Sequence, residues 1–174
     1  IVALSESPID ENVIVIGTDD GLIQINENSG KTGRKIDNIP DAPEQSYVNS
    51  VYLSQHDVNV IYVAFNHHKY GDFKPYIFKS SDRGNSWVSI SSNLPIRGSV
   101  YSIEEDHVDS NLIFCGTEFG VFFSPDSGGS WKELASGLPT IAVRDIAIQR
   151  RENDLVLGTF GRGFYVLDDY SVLR

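Results

Sequence analysis

The chain has 174 residues, 40% of them apolar and 11% aromatic, enough for one domain with a sizeable core. Fourteen basic residues against 24 acidic ones give a net charge of −10, which argues against nucleic acid or an anionic membrane surface as partner, since both need clustered Lys and Arg. No run approaches the ~18 apolar residues of a membrane-spanning helix, and a single cysteine, Cys115, excludes an internal disulfide.

Taken in chain order, the predicted elements repeat. The first unit opens on a strand at Ile1, with no start methionine, charged n-region or h-region in front of it, so the native N-terminus is read as lying outside this sequence. Next come Asn12, the apolar run Val13–Ile16, the pair Gly17-Thr18 and a turn with Asp19 and Asp20. The unit closes on Ile39-Pro40. The second unit repeats the order with Asn59, Val60–Val63, Ala64 and Leu94-Pro95. The third has Asn111, Leu112–Cys115, Gly116-Thr117 and Leu138-Pro139, and the fourth Asn153, Leu155–Leu157 and Gly158-Thr159. The Asn markers stand 47, 52 and 42 residues apart. Three markers in one order over four units make a repeat.

Inside the third unit, Val100–Ile103 alternates, Leu112–Cys115 is a short buried run that holds Cys115, Gly120–Phe123 follows a tight turn, and Trp131–Leu134 alternates again. Short strands between turn residues predict a four-stranded antiparallel meander. No window sustains a 3.6-residue period, so helices are expected to be trivial. Four-stranded sheets at this spacing predict an all-β, β-propeller segment of four blades at about 1–40, 41–95, 96–139 and 140–174, the last without its fourth strand. A two-sheet β-sandwich is the alternative.

Two units carry a more specific motif. Ser80-Ser81-Asp82-Arg83-Gly84-Asn85-Ser86-Trp87 and Ser124-Pro125-Asp126-Ser127-Gly128-Gly129-Ser130-Trp131 both fit Ser-x-Asp-x-Gly-x-Ser-Trp. The Asp is expected to accept backbone N–H groups of its own turn, the Gly to supply a positive φ, and the Trp to anchor the next strand. Both octapeptides resemble the Asp-box (BNR) repeat of sialidases, xyloglucanase-type glycosidases and the sortilin ectodomain. The Gly-Thr turns and the stretch Gly158-Thr159-Phe160-Gly161-Arg162-Gly163-Phe164-Tyr165-Val166-Leu167-Asp168-Asp169 look like sortilin-type repeats of large exported bacterial proteins, often labelled glycosyl hydrolase. The resemblance implies an extracellular or periplasmic location. It also implies that Ser80, Asp82, Gly84, Trp87, Ser124, Asp126, Gly128 and Trp131 are structural, on turns away from the active face. Unit one keeps a degenerate box, Asn26-Glu27-Asn28-Ser29-Gly30, and unit four ends its match at Asp168-Asp169.

In a propeller, the turns between second and third strands share a face with the connections between blades. Asp19, Asp20, Glu118, Phe119, Phe160 and Arg162 are therefore the residues to examine, together with an insertion in unit two. Fifteen residues separate Phe65 from Ser80, against seven from Thr117 to Ser124, so Asn66–Tyr76 holds eight extra residues, among them His67, His68 and Tyr70. Such insertions map to one face and often bind. This loop either stacks on a sugar or peptide or is a solvated, silent turn. His67 and His68 are adjacent, so on extended backbone they point opposite ways, and no metal or cofactor is expected. Glycoside hydrolysis would need a carboxylate pair across a cleft. Asp19 or Asp20 with Glu118 is the pair that could be imagined, and no catalytic residue is assigned. Arg97, Arg144 and Arg162 show none of the context of a sialidase arginine triad.

The expected function is a non-catalytic scaffold and binding module of a larger exported protein, facing a protein, peptide or glycan. The competing reading is a fragment of an Asp-box glycoside hydrolase whose active site needs blades absent here. Open flanks carrying Val15 and Val166 are expected to permit self-association through the terminal blades.

Overall fold

The computed structural model describes residues 1–135 and 137–174. Among these residues, fifteen strands form four antiparallel sheets. Blade one is β1 (Ala3–Glu6), β2 (Ile14–Gly17), β3 (Ile23–Asn26) and β4 (Gly33–Ile36). Blade two is β5 (Tyr47–Leu53), β6 (Ile61–His67), β7 (Asp72–Ser80) and β8 (Val88–Ser89). Blade three is β9 (Val100–Glu105), β10 (Ile113–Thr117), β11 (Gly120–Ser124) and β12 (Lys132–Glu133). Blade four has β13 (Val143–Gln149), β14 (Asp154–Thr159) and β15 (Phe164–Leu167) and lacks a fourth strand. Among the described residues, helical structure amounts to two short 3₁₀ turns, His68–Tyr70 and Tyr170–Leu173.

The strands alternate because both faces of each sheet meet something different. Innermost strands lie side by side, β1 against β5, β5 against β9 and β9 against β13. Three apolar cores fill the seams between consecutive blades. Val15, Ile23 and Ile25 of blade one join Val51, Val63 and Phe78 of blade two. Tyr62 and Ile77, on the other face of blade two, join Val100, Ile103 and Cys115 of blade three. Phe114 and Val121 then meet Val143, Ile146 and Leu157 of blade four. Cys115 is fully buried, and burial pushes its thiol well above the ordinary range.

Val15 was expected on an open flank. It is instead fully buried in the first seam, because the pleat sends it inward and its neighbours Ile14 and Ile16 outward. Exposed apolar strand residues of the terminal blades include Leu4 on one side and Phe164 and Val166 on the other.

The octapeptide turns hold as expected, with a shift in which residue matters. The Ser86 N–H donates to Asp82 Oδ1 at 2.8 Å, as the Ser130 N–H does to Asp126 at 2.8 Å. These bonds, with those from neighbouring Ser hydroxyls, hold both carboxyls down at about 2. Yet the amides they satisfy are exposed. The buried amide in each turn, Gly84 N–H or Gly128 N–H, donates to the box Ser, Ser80 Oγ at 2.7 Å and Ser124 Oγ at 2.8 Å. Trp87 and Trp131 are buried.

The Asn markers have a physical role in these turns. The residue after each box Asp donates its N–H to the Asn carbonyl of the turn between first and second strands: Arg83 to Asn59 at 2.9 Å and Ser127 to Asn111 at 2.8 Å. Ser29 does the same to Asn12 at 3.2 Å, and Tyr170 to Asn153 at 2.9 Å. Both turns therefore lie at one end of each blade, and the turns between second and third strands lie at the other.

Candidate ligand-binding face

At that second end the insertion is a hairpin extension. His67 still pairs with Asp72 across β6 and β7, so only the 3₁₀ turn and Gly71, in the left-handed region at φ 74°, stand beyond the ladder. Its side chains are tied to the connections on either side. The His67 ring stacks on Tyr70 with centroids 4.3 Å apart, and its Nδ1 lies 3.1 Å from Ser46 Oγ, before β5. The Tyr70 hydroxyl donates to Gln45. His68 turns the other way, its Nε2 2.7 Å from Ser99 Oγ before β9, with Phe73 5.0 Å from its ring. The two histidines are opposed, but by a turn and not by strand alternation: His67 sits at φ −127°, ψ 34° and His68 opens the 3₁₀ turn.

From there the strip continues into blade three. The Gly98 N–H donates to the Phe73 carbonyl at 2.9 Å. Phe119 lies over Gly98, its Cδ2 3.2 Å from where a Cβ would sit. Glu118 donates its N–H to the Ser99 carbonyl, and the Tyr101 phenol near it is raised chiefly by burial, with Arg144 opposing and the Glu118 charge adding. The Arg144 guanidinium covers the Tyr101 ring at 3.7 Å and sits 5.4 Å from the Phe160 ring. Arg144 is exposed and Phe160 is 71% exposed. A guanidinium lying over one ring and near a second is held by cation–π attraction, and its planar fork of N–H donors suits a carboxylate.

His67, His68, Tyr70, Glu118, Phe119 and Phe160 are thus brought into one run of contacts with Arg144 and Tyr101. Asp20 stands at its blade-one end, in a cleft of about 40 Å³ shared with Gln45 and Phe65. Thr18 donates to the Asp20 carboxylate and lowers its pKa. Asp19 and Arg162 are exposed on their turns outside the strip. Sequence reasoning missed Tyr101, on the innermost strand, and had set Arg144 aside for lack of a motif. An exposed Arg one position after a buried strand residue, facing an aromatic one repeat earlier, is the signal that was available.

The electrostatics of the imagined carboxylate pair do not favour acid–base work. A general acid needs a raised pKa, whereas the Asp20 carboxyl is lowered, and Glu118 stands two blades away with blade two between them. The raised carboxyl is Glu104, pushed up to about 7 chiefly by burial, with Asp145 and Glu105 adding and Arg150 and Tyr52 opposing. It sits near the far end of β9, away from the strip. A depression of about 480 Å³ beside the first box is walled by Gly84, Asn85, Ser86 and Trp87, and Asp82 is not among its lining residues.

No protein-family model and no curated protein matches the chain. Among solved structures it is similar to an ancestral GH74 enzyme at 22% identity and TM-score 0.69, covering 91% of this chain and 22% of that one. The GH74 xyloglucanase from Xanthomonas campestris is similar at 15% and 0.73, with 100% and 30% covered. YCF48 bound to D1 peptide is similar at 17% and 0.71, with 98% and 51% covered. The chain therefore spans between 22% and 51% of the length of these proteins. The likeness extends to fold alone, and on it the chain is a β-propeller segment of four blades, the last with three strands.

Proposed function

We propose that the chain is a non-catalytic scaffold and binding module of a larger exported protein with Asp-box, sortilin-like repeats, placed outside the cytoplasm. It presents its loop face to a protein, peptide or glycan, and a peptide with a carboxylate suits the face best. The observation that carries this reading is the Arg144 guanidinium lying over Tyr101 beside the exposed Phe160. A weakly hydrated, preoriented fork binds a carboxylate with two parallel N–H donors, and the neighbouring rings offer area for an apolar side chain at low entropy cost. The shallow relief of the strip, with a cleft of only about 40 Å³, suits an extended ligand better than an enclosed small molecule. One structural neighbour, YCF48, was solved with a peptide bound.

The second reading is a fragment of a glycoside hydrolase, favoured by the GH74 neighbours. It would require blades absent from this chain to supply the carboxylate pair.

Both are tested by titrating the ¹⁵N-labelled chain with short peptides ending in a free carboxylate and, separately, with xyloglucan oligosaccharides. The expected result is peptide-induced shifts centred on Arg144, Phe160 and Phe119, weakened roughly tenfold or more by Arg144→Ala. Shifts unaffected by that substitution would overturn the binding reading, and release of shorter sugars by the chain would favour the enzyme.

A further inference from the structure

The first two seams are closed at the rim by a connection laid against the next blade's octapeptide, and they are closed differently. In the second seam, Ile90 packs against Gly128 and its carbonyl accepts the Trp131 indole N–H at 2.7 Å. Asn93, in the same connection, grips the Trp131 backbone. Its Oδ1 accepts the Trp131 N–H at 2.7 Å, and its Nδ2 donates to the Trp131 carbonyl at 2.9 Å. One planar carboxamide thus satisfies both polar groups that the start of the outermost strand turns away from its sheet.

The first seam has the same parts with one residue fewer. Ile36 packs against Gly84 as Ile90 does against Gly128, and Asn38-Ile39-Pro40 corresponds to Asn93-Leu94-Pro95. Asn93 stands three positions after Ile90, whereas Asn38 stands only two after Ile36. On extended backbone a shift of one residue moves a side chain about 3.3 Å and turns it to the other face. Asn38 is exposed, and the Trp87 indole donates to the Gly84 carbonyl of its own turn at 3.2 Å instead of crossing the seam. Ile90 donates its N–H to Ile77 of β7 at 2.9 Å, so the alternation of an antiparallel pair faces the Trp87 N–H and C=O outward. Among the described residues neither of these groups, nor the Asn38 side chain, makes a hydrogen bond. Trp87 and Asn38 both line the depression of about 480 Å³, with Lys35, Asp37, Asn85 and Ser86.

We propose that this depression is a binding site for a primary carboxamide, presented as an Asn or Gln side chain by an extended peptide of a partner protein. Asn93 shows the chemistry that fits the outward pair: an acceptor and an N–H on the same side of one plane. A carboxylate offers no donor and an ammonium no acceptor. A secondary amide, such as that of an N-acetyl sugar, holds its N–H and C=O on opposite sides. The depression has room for more than a carboxamide, and Ile36 and Pro40 border it as apolar contacts for the residues on either side. The site lies at the rim beside the octapeptide turn, at the other end of the blades from the strip around Arg144, and does not depend on what that strip binds.

The probe is the peptide Ser-Ser-Asn-Leu-Pro, copied from residues 91–95 and capped by an acetyl group and an N-methyl amide, so that the Asn side chain is its sole primary carboxamide. Titrated into the ¹⁵N-labelled chain, it should shift the Trp87 amide and those of Ser86 and Val88 with saturation. Exchanging its Asn for Asp should weaken binding roughly tenfold or more, about 1.4 kcal/mol. Inserting one glycine between Asp37 and Asn38 restores the spacing of the second seam. Asn38 should then take the Trp87 pair itself and weaken the peptide to the same degree, with the rest of the spectrum unchanged. Should that insertion disturb the fold, Asn93→Ala supplies a second measurement. It frees the Trp131 pair, so the same peptide should then shift the Trp131 amide as well. Equal affinity for the Asn and Asp peptides, no binding, or shifts confined to residues away from Trp87 would overturn the proposal. So would binding that survives the insertion in a folded chain, or a Trp131 amide that stays silent in Asn93→Ala.

Discussion

Ser80 should matter more to stability than Asp82, although the aspartate gives the octapeptide its character. Ser80 is buried, its Oγ accepts the Gly84 N–H at 2.7 Å and the Asp82 N–H at 3.3 Å, and it donates to Asp82 Oδ1 at 2.8 Å. The Gly84 amide sits where Ile25 and Ile36 of blade one and Trp87 close over it, so water cannot replace the lost hydroxyl in Ser80→Ala. An unsatisfied buried donor costs about 1–3 kcal/mol. In Asp82→Ala the freed groups are the Ser86 N–H and hydroxyl, both exposed, so water takes them over and the loss is smaller. Urea denaturation checks this. The midpoint of Ser80→Ala should fall with m unchanged, and thermal melts should drop by about 2–4 °C per kcal/mol. Ser124→Ala should behave alike, because Ser124 Oγ holds the Gly128 N–H in the same way at 2.8 Å. A Ser80→Ala variant as stable as the parent, or an Asp82→Ala variant less stable than Ser80→Ala, would refute the reasoning.

Gly128→Ala should cost roughly 2–4 kcal/mol, combining a left-handed φ of 93° with a Cβ only 2.7 Å from Ile90 Cβ. Gly30→Ala, at φ 86° with nothing within 4 Å, should cost only about 1–2 kcal/mol by the same denaturation assay. Glu104 has its folded pKa raised from 4.5 to about 7, so its contribution to stability is intact below pH ~4.5 and is lost as pH rises through about 7. Glu104→Gln should flatten the stability profile in that window and gain on the order of 1–3 kcal/mol at pH 8; an unchanged profile would count against burial as the cause. On the terminal blades, Phe164 is 79% exposed, Leu4 63% and Val166 56%. Light scattering should therefore show mass rising with concentration, and Phe164→Ser or Leu4→Ser should suppress it; a monomer at every concentration would refute this.

Much of the fold was legible because each blade repeats the same local chemistry. Turn residues bound short apolar runs, and the Asn marker recurs in all four units with Gly-Thr and Pro each in three, always in one order. The three-stranded last sheet agrees with unit four's departure from the octapeptide after Asp168-Asp169. What the pattern could not give was the facing of individual side chains. Val15 illustrates this: alternation fixes which residues share a face and leaves open whether a neighbouring blade covers it. The strip of candidate residues was half legible for the same reason. Loop residues such as His67, Tyr70 and Phe119 announce themselves by position in the repeat. Tyr101 and Arg144 lie on innermost strands one unit apart, and only the close approach of β9 and β13 turns them into a stack.

The octapeptide reads as a local turn, yet its geometry is spent between blades. The Gly at its centre touches the preceding blade, Gly84 against Ile25 and Ile36 and Gly128 against Ile90. Trp131 bonds the preceding blade's Ile90 carbonyl, and Arg34 of blade one bonds the Arg83 and Gly84 carbonyls of the next box. The box of blade one is degenerate. There Gly33 takes the Trp position and Gly30 meets nothing within 4 Å. Blade four shows the other way to close a seam. Asp106 of blade three is fully buried and accepts the Val108 and Asp109 amides, a role that Ser7 and Ser54 play in blades one and two. As a carboxylate it also accepts the Tyr170 hydroxyl and the Arg174 guanidinium, and these bonds hold it well below the usual range despite burial. The exchange of Ser for Asp at one turn, and of Trp for Arg at the next box, is a single compensated change: a charged clamp at the end of the blades replaces an aromatic wedge at their rim. With Arg174 held at the end of the blades, Leu134, Leu138, Leu157 and Tyr165 line a cavity of about 140 Å³ at the rim.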